Sequence, residues 1–245
     1  MAPPSAAIEA PPSAASPAAA RPGHADFELA KLVALVAMAA DHYGKIVDPQ
    51  LYDATHAFGR LAFPLFAAII GARLALDDGL GRRYPRSLLP WAMVSQPIYV
   101  ACGRDWLDAN ILFTLALGVV ATIALRDLST RSRPAAAVAL AAVFAASAFV
   151  DYGPPGVAMI PAVAFAVARL GARGLWLAGI AGLAANGVWA MPPFEAADLA
   201  ALAAAPLLAV SVVARCRLPR LPAAVYYGFY PGHLLALHLW ALSLG

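Results

Sequence analysis

The chain has 245 residues, of which 62% are apolar and 13% charged, against a charged fraction of about 25% in an ordinary soluble protein. A mean hydropathy of +0.72 over the whole length makes the apolar stretches the body of the protein and excludes one anchor on a soluble domain. The net charge of +3 does not call for nucleic acid, because the Lys and Arg residues fall between apolar runs, as loop charges that set membrane orientation do.

Residues 1–24 are rich in Ala and Pro with little charge. They lack the basic start and apolar core of a cleavable signal and read as a disordered tail. Residues 25–245 form one helical domain. In lipid only helices and closed barrels satisfy their own backbone, and the runs lack the two-residue alternation of a barrel strand. The expected fold class is therefore all-α, a polytopic transmembrane bundle. Charge and Pro/Gly clusters divide it into about nine spans, near 28–47, 61–77, 86–102, 109–126, 134–150, 156–169, 174–190, 198–214 and 223–243. With a cytoplasmic N-terminus, fourteen Lys and Arg residues lie inside and only Lys45, Arg60 and Arg104 outside, the bias that sets orientation in membranes. Cys102 and Cys216 then end on opposite sides, and they make neither a metal spacing nor a disulfide framework.

Ionisable groups inside spans are costly and are the informative ones. In the first span, Lys31 is near the cytoplasmic end and can snorkel. His42 stands fourteen residues after Glu28, about 21 Å of rise, in the outer third of a core about 30 Å thick. Asp41 and His42 point about 100° apart on a helix, so the natural partner of Asp41 is Lys45 at i+4. An ion pair at the helix end explains Asp41 as well as a role in a site does. His42, a lone imidazole on a stripe with Leu35 and Met38, is the candidate base.

The second span opens with Gly59-Arg60-Leu61-Ala62-Phe63-Pro64-Leu65-Phe66. Gly59 allows close backbone approach, Pro64 suits a first helical turn, and Arg60 reads either as an interfacial charge or as an anion or carbonyl clamp. The inside stretch at residues 82–86 holds Arg82, Arg83 and Arg86, either orientation charge or phosphate-binding charge. Gln96 precedes Pro97 within the third run and Asn110 opens the fourth; helix repair and N-capping explain them as well as substrate contact does. In the last span Tyr230-Pro231-Gly232 precedes His233, a sequence that reads as a helix break at mid-membrane.

Lys31-Leu32-Val33-Ala34-Leu35 through Asp41-His42, the Gly59–Phe66 segment, Asn110-Ile111-Leu112-Phe113 and Phe229-Tyr230-Pro231-Gly232-His233-Leu234 resemble the TraX family in order and spacing, from about residue 27 to the C-terminus. That family is associated with acetylation of the N-terminus of conjugative F-type pilin, and it is thought to be distantly similar to integral-membrane acyltransferases. The resemblance implies a bacterial inner-membrane enzyme, with cytoplasmic acetyl-CoA as donor, no metal, and a pilin amine at the outer face as acceptor. His42 is then the base or a transient acyl carrier, Asp41 its electrostatic neighbour and Arg60 the oxyanion or phosphate clamp. Tyr230, His233, Asn110 and Gln96 are candidate substrate contacts, and Arg82, Arg83 and Arg86 candidate donor-phosphate contacts. An envelope sugar or lipid acceptor stays open, as do a transporter and a non-enzymatic pilus-assembly scaffold. An enzyme of this kind needs a polar slot that touches His42 and at least two of Gln96, Asn186, Tyr230 and His233 and opens toward residues 82–86.

Overall fold

The computed structural model describes residues 27–77, 79–128, 132–188, 196–213 and 218–244. The N-terminal tail, Arg131, Arg215, Cys216 and Arg217 lie outside them, as does the side chain of Arg82. The described residues are all-helical: α1 (Glu28–Ile46), α2 (Tyr52–Gly59), α3 (Ala62–Leu76), α4 (Leu80–Ala101), α5 (Ile111–Asp127), α6 (Arg133–Ala146), α7 (Gly153–Leu170), α8 (Leu177–Leu183), α9 (Ala204–Val213) and α10 (Ala223–Leu244). Tight 3-10 turns precede α8 and α9, and a π-helical segment, Ala184–Val188, follows α8. Among the described residues, the sheet content is one isolated bridge between Ala109 and Val150.

Apart from Arg73 in its last turn, α3 is apolar on every side, and most of it is buried. It is the central helix, packed most extensively against α7, as expected of a helix without a polar face. Small residues set the spacing: a Cβ on Gly71 would meet the Ile160 carbonyl at 2.8 Å, and one on Gly118 would meet Ile160 Cδ1 at 2.6 Å. Two continuous helical runs, Pro49–Leu76 and Gly153–Gly187, are long and apolar enough to cross a membrane. Met93, Phe144, Ile180, Val213 and Leu242 are exposed on the outer faces of α4, α6, α8, α9 and α10.

Three expectations change. Residues 82–86 are not a loop but the first turns of α4, which continues through Pro85, Pro90 and Pro97. The anticipated break at Tyr230-Pro231-Gly232 is absent, and α10 runs unbroken with Pro231 inside it. A proline removes one hydrogen bond, and neighbouring helices hold such a helix together without unwinding. The segment between the first two spans also contains an unanticipated short helix, α2.

Candidate active site

The C-terminal end of α1, the N-terminal ends of α3, α5 and α7, and the π-helical segment converge on one side of the bundle around a cavity of about 610 Å³. Charged and polar groups concentrate there: Asp41, His42 and Lys45 from α1, His56 from α2, Arg60 just after it, Arg104 beyond α4, and Asp151 before α7.

Asp41 and His42 diverge as the helical geometry requires. Lys45 Nζ donates to Asp41 Oδ2 at 2.5 Å, the expected i+4 pair. The other carboxylate oxygen, Oδ1, lies 2.8 Å from Nδ1 of His56. No motif or span in the sequence marks His56. It is buried, and its ring stacks on Tyr52 with centroids 4.7 Å apart. Gly59 makes this approach possible, because a Cβ there would stand 2.3 Å from Asp41 Cβ. The glycine seen in the sequence therefore seats α2 against the acid itself.

His42 has a different partner. Its Nδ1 lies 2.7 Å from Nε2 of His233 on α10, and His233 Nδ1 lies 2.7 Å from the Phe229 carbonyl oxygen. A carbonyl only accepts, so Nδ1 of His233 donates to it. In the neutral ring, Nε2 of His233 then accepts from Nδ1–H of His42. The tautomer of His42 is thereby set with its lone pair on Nε2, in a residue that lines the cavity. Tyr230 closes the same corner, its ring edge-on to His42 at 6.1 Å.

The cations are held from behind. Arg60 Nε is 3.1 Å from Oδ1 of Asp198, a buried acid in the 3-10 segment Ala196–Ala203. Asn186 Nδ2 donates to the Arg60 carbonyl at 3.0 Å, so the π-helical segment holds the Arg60 backbone while Asp198 orients the guanidinium. Arg104 stands 5.6 Å over the Tyr99 ring. Burial pushes the Asp151 carboxyl above the usual carboxylate range, opposed by Tyr99 and Arg104. The turn carrying Asp151 is tied to its neighbours: Tyr152 adopts a left-handed φ of 64°, its ring stacks on Phe63 at 4.0 Å, and the Thr114 hydroxyl donates to the Asp151 carbonyl. A non-glycine residue in that conformation stores strain of about 1–3 kcal/mol, held here by the stacked ring.

Two groups of expected contacts are placed elsewhere. Gln96 and Asn110 serve one another: Asn110 Nδ2 donates to Gln96 Oε1 at 2.8 Å, Gln96 Nε2 donates to the Asp108 carbonyl at 2.7 Å, and Asn110 Oδ1 caps α5 by accepting from Leu112 N at 3.1 Å. Neither lines the cavity; they tie α4 to the start of α5. Arg83 and Arg86 are exposed on α4. Instead, Lys31 and Arg73 line a second cavity of about 220 Å³ at the other end of the bundle, together with Tyr84, Tyr226 and Tyr227. The single slot anticipated from the sequence is thus two cavities that share Met38, Ile111 and Tyr230 as a common wall. The larger one touches His42 and, of the four anticipated residues, Asn186 and Tyr230. Among the described residues, no group of three His, Cys, Asp or Glu side chains could hold a metal ion.

The family model described as TraX protein matches residues 26–241, a region that takes in both cavities. The chain belongs to the TraX family. Protein TraX of Escherichia coli is 34% identical over 230 residues, which cover 90% of this chain and 88% of that protein. Protein TraX of Escherichia coli strain K12 is 36% identical over 143 residues, covering 57% of this chain and 54% of its own length. No solved structure matches the chain. The TraX-family match therefore spans His42, Arg60 and His233 together with His56, Asp151 and Asp198.

Proposed function

We propose that this TraX-family chain is an acyltransferase embedded in the bacterial inner membrane, with its N-terminus cytoplasmic and about nine spans. It moves an acetyl group from cytoplasmic acetyl-CoA to an amine at the outer face, the N-terminus of a pilin subunit. The outward apolar side chains of five helices suit a lipid surround, and the loop charges suit that orientation. The observation that carries the chemistry is the hydrogen-bonded chain from His42 through His233 to the Phe229 carbonyl. It leaves one imidazole nitrogen as a base in a polar cavity that holds Arg60 and Arg104 as well.

His42 Nε2 takes the proton of the acceptor amine as its nitrogen bonds to the acyl carbon, a contribution worth about 10²–10⁴-fold. The donor supplies an activated carbonyl on a thiol leaving group. Arg60, aimed by Asp198, faces the charge that grows on the carbonyl oxygen. When the carbon–sulfur bond breaks, His42 returns its proton to the departing sulfur, so the base is regenerated. An N-terminal ammonium, with a pKa of about 7.7–8.0 in water, gives one proton to solvent before attack and the second to His42 as the amide forms.

Proteoliposomes that hold acetyl-CoA inside and a pilin N-terminal peptide outside test this reading. Acetylated peptide should accumulate outside, and a peptide with a blocked amine should gain nothing. Acetyl recovered on a glycan or lipid acceptor and never on the peptide would overturn the amine acceptor. Absence of any transfer would overturn the enzyme.

A further inference from the structure

The inner cavity has features that the outer site does not use. Its walls are apolar, formed by Phe66, Ile69, Leu112 and Leu115, and its polar groups gather at the end away from His42. Arg73, in the last turn of α3, has a buried Nε with no hydrogen-bond partner. Lys31 stands in the same cavity, held at 2.6 Å by Glu28, which also accepts from the Tyr226 hydroxyl. Glu28 is bonded to Lys31 and Tyr226 and stands within electrostatic reach of Arg73 as well, so the two cations share one carboxylate and the unbonded Arg73 Nε is the donor that an anion would complete. A donor group left unpaired in a buried site is costly, and a guanidinium fits phosphate oxygens by its planar fork.

Resting on the acyl-donor reading above, we propose that the inner cavity seats the phosphopantetheine arm of the donor, with its phosphate at Arg73 and Lys31 and its sulfur at Tyr230, beside His42. Length decides in favour of this arm. Lys31 and His42 lie on one face of α1, eleven residues or three turns apart, a rise of about 16 Å. Leu35 and Met38 fall between them on the same face, and Met38 lines both cavities. The arm has roughly thirteen bonds from phosphorus to sulfur and contains two amides. At the reach of an extended peptide, about 3.5 Å per three bonds, it spans about 15 Å. A phosphate held at the Lys31 end therefore delivers a thioester to the shared wall of Met38, Ile111 and Tyr230, where the outer cavity begins.

Calorimetric titration of the purified full-length protein with pantetheine 4′-phosphate, and separately with pantetheine, isolates the phosphate. The phosphorylated arm should bind at least roughly tenfold more tightly, a difference of about 1.4 kcal/mol. Arg73→Ala should remove that difference, and Arg73→Lys, which keeps the charge, should restore part of it. A monodisperse elution profile for each variant separates lost binding from lost folding. Equal affinity for the two compounds would overturn the placement. So would a larger loss from Arg83→Ala with Arg86→Ala than from Arg73→Ala. If peptide is acetylated in proteoliposomes while pantetheine 4′-phosphate neither binds nor competes, this seat fails and the enzyme stands. If neither coenzyme A binding nor transfer is found, the enzyme reading fails and this seat with it.

Discussion

Two histidines border the outer cavity, and α1 holds each by a different means. On the α2 side, His56 is fixed by a charge: Asp41 stands between it and Lys45. On the α10 side, His42 is fixed by hydrogen bonds that end on a backbone carbonyl. Consecutive residues of one helix therefore feed separate networks, because a step of one residue turns the side chain by about 100°. The α2 network is an electrostatic clasp that closes the outer end of the bundle, and its loss is felt as stability. The α10 network directs a lone pair, and under the proposed transfer its loss should be felt as rate.

Removing His42 gives the largest effect. His42→Ala should insert and elute as the parent does, while acetyl transfer falls by about 10²–10⁴-fold, measured as initial rate in proteoliposomes. Parental activity in that variant would move the chemistry to His56. Next comes the orienting partner. His233→Ala should lower kcat roughly ten- to a hundredfold, as loss of a residue that orients a working imidazole does, with KM for the peptide little changed. His233→Gln, which keeps a hydrogen-bond acceptor, should recover part of the rate. A purely packing role would give no such rescue.

The clasp is broken without touching a titratable group by Gly59→Ala. The new Cβ would stand 2.3 Å from Asp41 Cβ, so α2 must move away. The expected cost is about 1–3 kcal/mol of stability, the usual range for overpacking, read as a lower Tm. The smallest effect concerns Asp151. Burial raises its pKa in the folded protein, so the folded state holds this proton more tightly than the unfolded chain does, and the carboxyl's contribution to stability falls as pH rises through that window. Melting curves of Asp151→Asn and the parent should therefore diverge in favour of Asn between pH 4 and pH 7. A constant difference would show that the carboxyl is solvated.

The long apolar runs announced their helices because periodicity and length survive in a single sequence. The Asp41–Lys45 pair was legible for the same reason: it is local, at i+4. His56 was not, since it lies on an eight-residue helix in a segment too polar to read as a span, and its partner is fifteen residues away. Asp198 was hidden in a 3-10 stretch, and its contact with Arg60 joins elements far apart in the chain. Arg73 reads from the sequence as one more charge that sets orientation, and nothing in the sequence marks its cavity. The spacing of Lys31, Leu35, Met38 and His42, a repeat of four, three and four, was the one signal that could have shown a continuous face from one end of α1 to the other. The prolines misled in the opposite sense. Pro97 and Pro231 mark breaks in an isolated helix, whereas packing keeps α4 and α10 continuous.

The most direct test of amine acetylation by this site is the mass of the N-terminal peptide from a pilin co-expressed with the protein. With the parent chain that peptide should be heavier by one acetyl group, and with His42→Ala it should keep the unmodified mass. An unmodified peptide in the presence of the parent protein, or an acetylated one in the presence of His42→Ala, would contradict the assignment.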